Sequence, residues 1–183
     1  MAYQKLQSRE ALLVIPDNTV RIPDPNTAIN LISTTVAATD GVTSFQVAAN
    51  AGSVLTGTNT KFTEMNIPVG AIVYNPSAGT PECYTVVSVD SDTQITVSKA
   101  VGGGASDSIT IYTKATIGCT LFVGTAGDIN VRMAQQNGNT TAAAAPANQT
   151  VLYKNIANGS FLPIQVVQVA VTSTDATNIV AMW

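Results

Sequence analysis

The chain contains no histidine and few charged residues, and both shortages limit the classes of function that it can have. Histidine is the commonest general base and the commonest metal ligand in proteins, so catalytic and metal sites lose their most frequent component. Charged residues make up 10% of the 183 residues, against about a quarter in ordinary soluble domains. So few charges leave a large monomer surface poorly solvated, and we therefore expect a homo-oligomer.

Long hydrophobic runs and basic clusters are also missing. The longest apolar stretches, residues 118–124 and 161–171, fall short of the roughly 20 residues that a membrane-spanning helix needs. Residues 1–10 show no apolar signal region, so we expect a protein assembled in the cytosol without a membrane partner. The net charge of −3, with eight scattered Lys and Arg residues, predicts no nucleic-acid partner.

The remaining reactive residues predict no catalytic, cofactor or metal site. Asp90 and Asp92 could offer oxygens to calcium, but the further ligands of a calcium loop are missing, and a hairpin turn is favoured. No nucleophile has an adjacent base, so we expect no enzyme. Cys83 and Cys119 fall in different modules, where a disulfide is possible but two reduced, buried thiols are favoured.

The distribution of strand-forming residues predicts an all-β fold. Thr and Val are abundant, and Gly, Asn and Pro interrupt the apolar runs about every eight to twelve residues, as in sandwiches and barrels. We expect two small antiparallel modules: a barrel-like insertion at residues 36–113 and a C-terminal domain at residues 114–183. Residues 1–35 are predicted to form an extended arm.

The arm has two interpretations, which are compatible with each other. It crosses the surface of its own C-terminal domain, or it reaches a neighbouring subunit. Because its prolines and sparse apolar residues offer little to a core, residues 1–25 are predicted to matter more for attachment than for folding.

Two features of the C-terminal domain indicate buried contacts. In residues 161–171 the apolar pattern changes phase, which predicts a bulge or a strand buried on both faces, and the latter would fit a shared oligomer core. The last residue, Trp183, either closes its own module or inserts at a subunit contact. Together with the arm, these features give the candidate interface residues Tyr3, Leu6, Val14, Ile15, Ile22, Phe161, Val167, Val169 and Trp183.

Four sequence segments carry a resemblance to a known family: GCTLFVGTAGDI at 118–129, VLYKNIANGSFLPIQV at 151–166, TDATNIVAMW at 174–183, and the opening REAL at 9–12. In these segments the chain resembles the spike-base proteins on the heads of tailed phages and gene transfer agents. Residues 57–97 are similar to a β module inserted in many phage head and tail proteins.

The resemblance implies a structural protein on the virion, a capsid decoration or cement protein or a head spike base. Its partners would be the major capsid protein or other virion proteins, on the head surface rather than the tail, with a trimer as the first choice of homo-oligomer. A tail or neck component is the first alternative. The second is a carbohydrate-binding protein that touches the host surface, against which the scarcity of aromatic residues, 5% of the chain, argues.

Overall fold

The computed structural model describes residues 10–29, 44–47, 52–58, 60–75, 80–101, 109–134 and 150–183. These residues form one 3-10 turn at Pro25–Thr27 and two antiparallel sheets, so the prediction of an all-β fold with two antiparallel modules is confirmed. The described strands, in chain order, are β1 (Ala11–Leu13), β2 (Ala28–Ile29), β3 (Ser44–Val47), β4 (Val54–Thr58), β5 (Ile72–Asn75), β6 (Glu82–Ser91), β7 (Gln94–Val97), β8 (Thr110–Tyr112), β9 (Cys119–Thr125), β10 (Gly127–Met133), β11 (Val151–Ile156), β12 (Ser160–Val169) and β13 (Thr177–Met182).

The chain divides into two compact units, and the boundaries differ from those expected. The first unit combines the described residues up to Pro25 with residues 116–183, and the second lies between Asn26 and Ala115. The described part of the predicted arm, residues 10–29, is therefore divided between both units. Its later part belongs to the second unit because β2 pairs with β8.

The second unit has a seven-stranded sheet in the order β2-β8-β5-β6-β7-β4-β3. Its core contains Leu55, Phe62, Tyr84, Ile95 and Ile111, all inaccessible to solvent. The sheet is open, whereas the sequence suggested a barrel-like module, because the edge strands β2 and β3 do not pair with each other.

The first unit has a six-stranded sheet in the order β1-β13-β9-β12-β10-β11. The strands alternate as half-buried strands do: along β9, Cys119, Leu121 and Val123 are buried and enter the core. Register shifts interrupt the pairing of β12 between Leu162 and Val166 and that of β10 between Arg132 and Met133. The bulge predicted in residues 161–171 is therefore present. β12 pairs with β9 on one edge up to Val166 and with β10 on the other edge from Val166 to Val169.

The segment after β1 pairs with the end of β12. The Val14 amide donates to the Ile179 carbonyl of β13 at 2.8 Å, and the Asp17 and Ile22 amides donate to the Val169 and Val167 carbonyls of β12, both at 2.9 Å. Backbone hydrogen bonds between neighbouring strands run in the plane of the sheet, so the segment lies along an edge of β12. The last four residues of this strand, Val166 to Val169, are all buried.

Asp17 fixes the turn that allows this segment to pair with β12. Its buried carboxylate accepts hydrogen bonds from the Thr19 amide at 2.8 Å, the Thr19 hydroxyl at 2.9 Å and the Val20 amide at 2.9 Å. Its carbonyl accepts from the side-chain amide of Gln168, also at 2.9 Å. Such side-chain turns replace regular backbone pairing, so the segment folds back without leaving buried amides unpaired. Residues 10–25 are thus part of the fold of the first unit, so we expect them to matter for folding as well as for attachment.

Candidate interaction surface

Four strands of the first unit present a row of apolar side chains on their outward face. The register pairs Leu13 of β1 with Val180 of β13, Val180 with Phe122 of β9, and Phe122 with Phe161 of β12. Paired residues in an antiparallel sheet point to the same face. These four side chains therefore form one continuous line across the sheet, which we call the apolar row.

Three of the four residues of the apolar row are open to solvent and Val180 is half-buried, although the opposite face of the same strands is core. Leu13 is 47% exposed, Phe161 44% and Phe122 36%. The neighbouring register line, Leu12, Ala181, Leu121 and Leu162, points inward, and Leu121 and Ala181 are completely buried. Antiparallel sheets with one solvated face normally carry polar residues on that face, so an apolar line there indicates a contact surface.

The four strands that carry the apolar row contain no charged residue. No Asp, Glu, Lys or Arg occurs in β1, β9, β12 or β13. The charges of this sheet lie on the other two strands, as Asp128 and Arg132 in β10 and Lys154 in β11. Natural sheets use charged side chains to prevent unwanted association, and this side of the sheet has none in its strands.

Most of the predicted interface residues lie inside the first unit. Val14, Ile22 and Val169 belong to its core, and Val167 is buried. This corrects their assignment to a subunit interface, because the contact between the N-terminal segment and β12 buries them within one chain. Ile15, beside Val14, is half-buried.

Of the remaining predicted residues, Phe161 lies on the apolar row and Trp183 lies against the core. Tyr3 and Leu6 fall outside the described residues. The structure adds Leu13, Phe122 and Val180, which sequence reasoning did not select. Phe122 could have been found from alternation, since Cys119, Leu121 and Val123 point inward.

Trp183 closes its own module. Its backbone amide donates to the Glu10 carbonyl at 3.2 Å, and its indole N–H donates to the Thr116 hydroxyl at 2.9 Å. The indole is half-buried and packs against the core of the first unit. Of the two interpretations of the C-terminus, these contacts favour the closing strand.

We expect Trp183→Ala to destabilise the folded chain by about 2 kcal/mol, less than for a fully buried tryptophan because the indole is half-exposed. Trp183→Phe keeps much of the apolar contact and removes the hydrogen bond to Thr116, which should cost about 1 kcal/mol. Thermal unfolding followed by circular dichroism at several protein concentrations measures both losses. Both stability losses should be independent of protein concentration. A loss that appears only at concentrations where an oligomer dissociates would show that Trp183 lies at a subunit contact.

Both cysteines are free and buried, which agrees with the reduced state favoured from the sequence. The Cys119 thiol donates to the Val166 carbonyl at 3.2 Å. Burial disfavours the thiolate and raises the pKa of Cys119 from 9.0 to about 12. Since the thiolate is the reactive form, this cysteine is inert in the folded chain.

A thiol reagent such as Ellman's reagent should therefore modify the cysteines slowly near neutral pH and rapidly after denaturation. The raised pKa also sets a pH dependence. Below the unfolded value of 9.0 the protonated thiol contributes its full stability, and this contribution is lost between 9.0 and about 12, because the unfolded state releases its proton first. Rapid labelling of Cys119 in the folded protein at neutral pH would contradict the assigned burial.

The carboxylates considered from the sequence serve local structure. Asp90 accepts hydrogen bonds from Ser88 and Thr96, both at 2.6 Å, which lower its pKa. Asp92 lies in the turn between β6 and β7, as predicted, and its carbonyl accepts from the Phe62 amide at 3.1 Å. Within the described ranges, no group of three or more Cys, Asp or Glu side chains could hold a metal ion.

Among the described residues, none forms a helix with the length and apolar character that crossing a membrane requires.

No protein-family model, curated protein or solved structure matches the chain. The feature of the structure that indicates a function is therefore the apolar row, together with the uncharged strands that carry it. An apolar, uncharged sheet face holds other apolar surfaces by excluding water.

Proposed function

We propose that this chain is a structural component of a tailed phage particle, a head decoration protein or spike base, that acts by adhesion to other proteins. The observation that carries the proposal is the apolar row, exposed on four adjacent strands without a charged residue. A surface of this kind is costly to leave in water, and exposed apolar patches are typical of sites where another protein binds.

The energetics of the apolar row suit an assembly built from many copies. Complete burial of a Phe or Leu side chain contributes about 1.5–3 kcal/mol. Since the exposed side chains are already partly buried, covering the row adds only part of this amount for each of them. Loss of rotational and translational freedom opposes the gain, so a single contact is weak. Many copies on one particle would make such contacts sufficient through avidity.

The phage setting of the proposal comes from the resemblance of residues 118–129, 151–166 and 174–183 to spike-base proteins. In the structure these segments contain β9, the start of β10, β11, most of β12 and all of β13. The segments that carry the resemblance thus also supply three of the four residues of the apolar row: Phe122, Phe161 and Val180.

Immunogold electron microscopy of tailed particles from the source strain, with antibodies raised against the purified chain, tests this proposal. We expect gold on the head surface. Gold confined to the tail or neck would favour the alternative location within the virion. Unlabelled particles, with all of the protein in the particle-free supernatant, would contradict a structural role in the virion.

A further inference from the structure

We infer that the apolar row of one copy packs against the apolar row of a second copy, across a two-fold axis. The inference rests on the proposed adhesive function and names the partner at that surface. It gives a dimer, whereas the resemblance to spike-base proteins implied a trimer. Dimers with a two-fold axis are the commonest protein oligomers, and their interface is one patch that is complementary to itself.

The absence of charge makes the apolar row complementary to itself. A patch that meets its own copy brings like charges together wherever it carries a net charge, which costs energy. The four strands of the row have no charged side chain, so two copies can approach without this repulsion. The same absence disfavours a charged partner surface, which would lose its hydration against Leu13, Phe122 and Phe161 without gaining an ion pair.

The arrangement of the row fits a two-fold axis in either direction. If the axis runs along the strands, Leu13 faces Phe161 of the second copy and Val180 faces Phe122. If the axis runs across the strands, each of the four residues faces itself. In both cases apolar side chains meet apolar side chains, because the row is apolar over its whole length.

The extent of the surface predicts a reversible dimer. Four strands about 4.8 Å apart and about six residues long outline a face of roughly 400 Å². A standard interface buries about 800 Å² on each partner. The apolar row would form the centre of a small interface, with Thr120 and Asn178 on its rim. We therefore expect a dissociation constant in the micromolar range.

Sedimentation velocity of the full chain over a range of concentrations tests the inference. Phe122→Thr with Phe161→Thr removes the two aromatic residues of the row and keeps strand-forming side chains. The matched control is Val69→Thr with Val87→Thr, which changes two side chains of the second unit that are 73% and 51% exposed. We expect a wild-type dimer, a dissociation constant at least 100-fold higher for the Phe variant, and less than a two-fold change for the control.

Three outcomes of this experiment would overturn the inference: a wild-type chain that stays monomeric, a trimer, or a dimer that the Phe substitutions leave unchanged. A variant lacking residues 1–9, which include Tyr3 and Leu6, tests whether that segment covers the row instead. The inference requires this variant to dimerise like the wild type, and loss of the dimer would overturn it. Gold-labelled particles together with a monomeric chain would refute the dimer and leave the proposed function standing.

Discussion

Removal of residues 1–25 is expected to unfold the first unit. The deletion removes the buried side chains of Val14, Val20 and Ile22 among others, and each of these three contributes about 1.5–3 kcal/mol. It also removes β1 and exposes the backbone carbonyls of Val167 and Val169. Because whole domains are stable by only about 5–15 kcal/mol, we expect the loss of the first unit's cooperative thermal transition and of its dispersed amide signals in an NMR spectrum.

The matched control is a chain that lacks only residues 1–9. It keeps β1 and all the contacts between residues 10–25 and the first unit, so its melting temperature should stay within a few degrees of the wild-type value. A native spectrum and an unchanged melting temperature for the longer deletion would show that residues 10–25 are dispensable for folding.

Replacement of Phe122 and Phe161 by Thr is expected to block incorporation into particles without unfolding the chain. The two rings are paired across neighbouring strands, and loss of such a pair costs the isolated chain about 0.2–1 kcal/mol. Each ring is also more than half buried, and the lost apolar contact costs about 1 kcal/mol more for each of them. In the assembly the same substitution removes the contact between two apolar rows and with it the avidity of paired copies on the particle. We expect particles grown with the variant to contain at least ten-fold less of this protein, as measured by immunoblot, and a cooperative unfolding transition at a melting temperature lowered by about 5–15 °C.

The variant with Val69→Thr and Val87→Thr is again the control, since it removes exposed apolar side chains from the second unit. It should enter particles at the wild-type level. Equal incorporation of the Phe and Val variants would show that the apolar row is not needed for assembly into particles. Loss of the cooperative unfolding transition in the Phe variant would show that the two rings are needed for folding.

The strands of this fold could be predicted where alternation is local. The pattern of β9, with Leu121 and Val123 apolar on one face, is readable from the residues themselves, and so is the turn at Asp92. The role of residues 10–25 could not be predicted, because it depends on pairing with β13 and β12, more than 140 residues away in the chain. Local composition does not report which distant strand supplies a partner.

The candidate site was predictable in part for the same reason. Phe161 was selected from the apolar strand that contains it, but its pairing with Phe122 depends on the register between β12 and β9. Val167 and Val169 were assigned to a subunit interface because a strand buried on both faces gives the same sequence pattern whichever chain covers it. The structure distinguishes these cases, since Val167 and Val169 are buried within the single chain and their carbonyls accept hydrogen bonds from Ile22 and Asp17 of the same chain.

Quantitative mass spectrometry of gradient-purified particles from the source strain tests the central claim, that the chain is a structural component of the virion. Peptides of this protein should co-purify with the major capsid protein at a fixed ratio that corresponds to several copies per particle. The ratio should stay constant across the particle peak and after a salt wash, because apolar contacts do not depend on charge pairs that salt would screen. Fewer than one copy per particle, or a ratio that falls with each purification step, would contradict the claim.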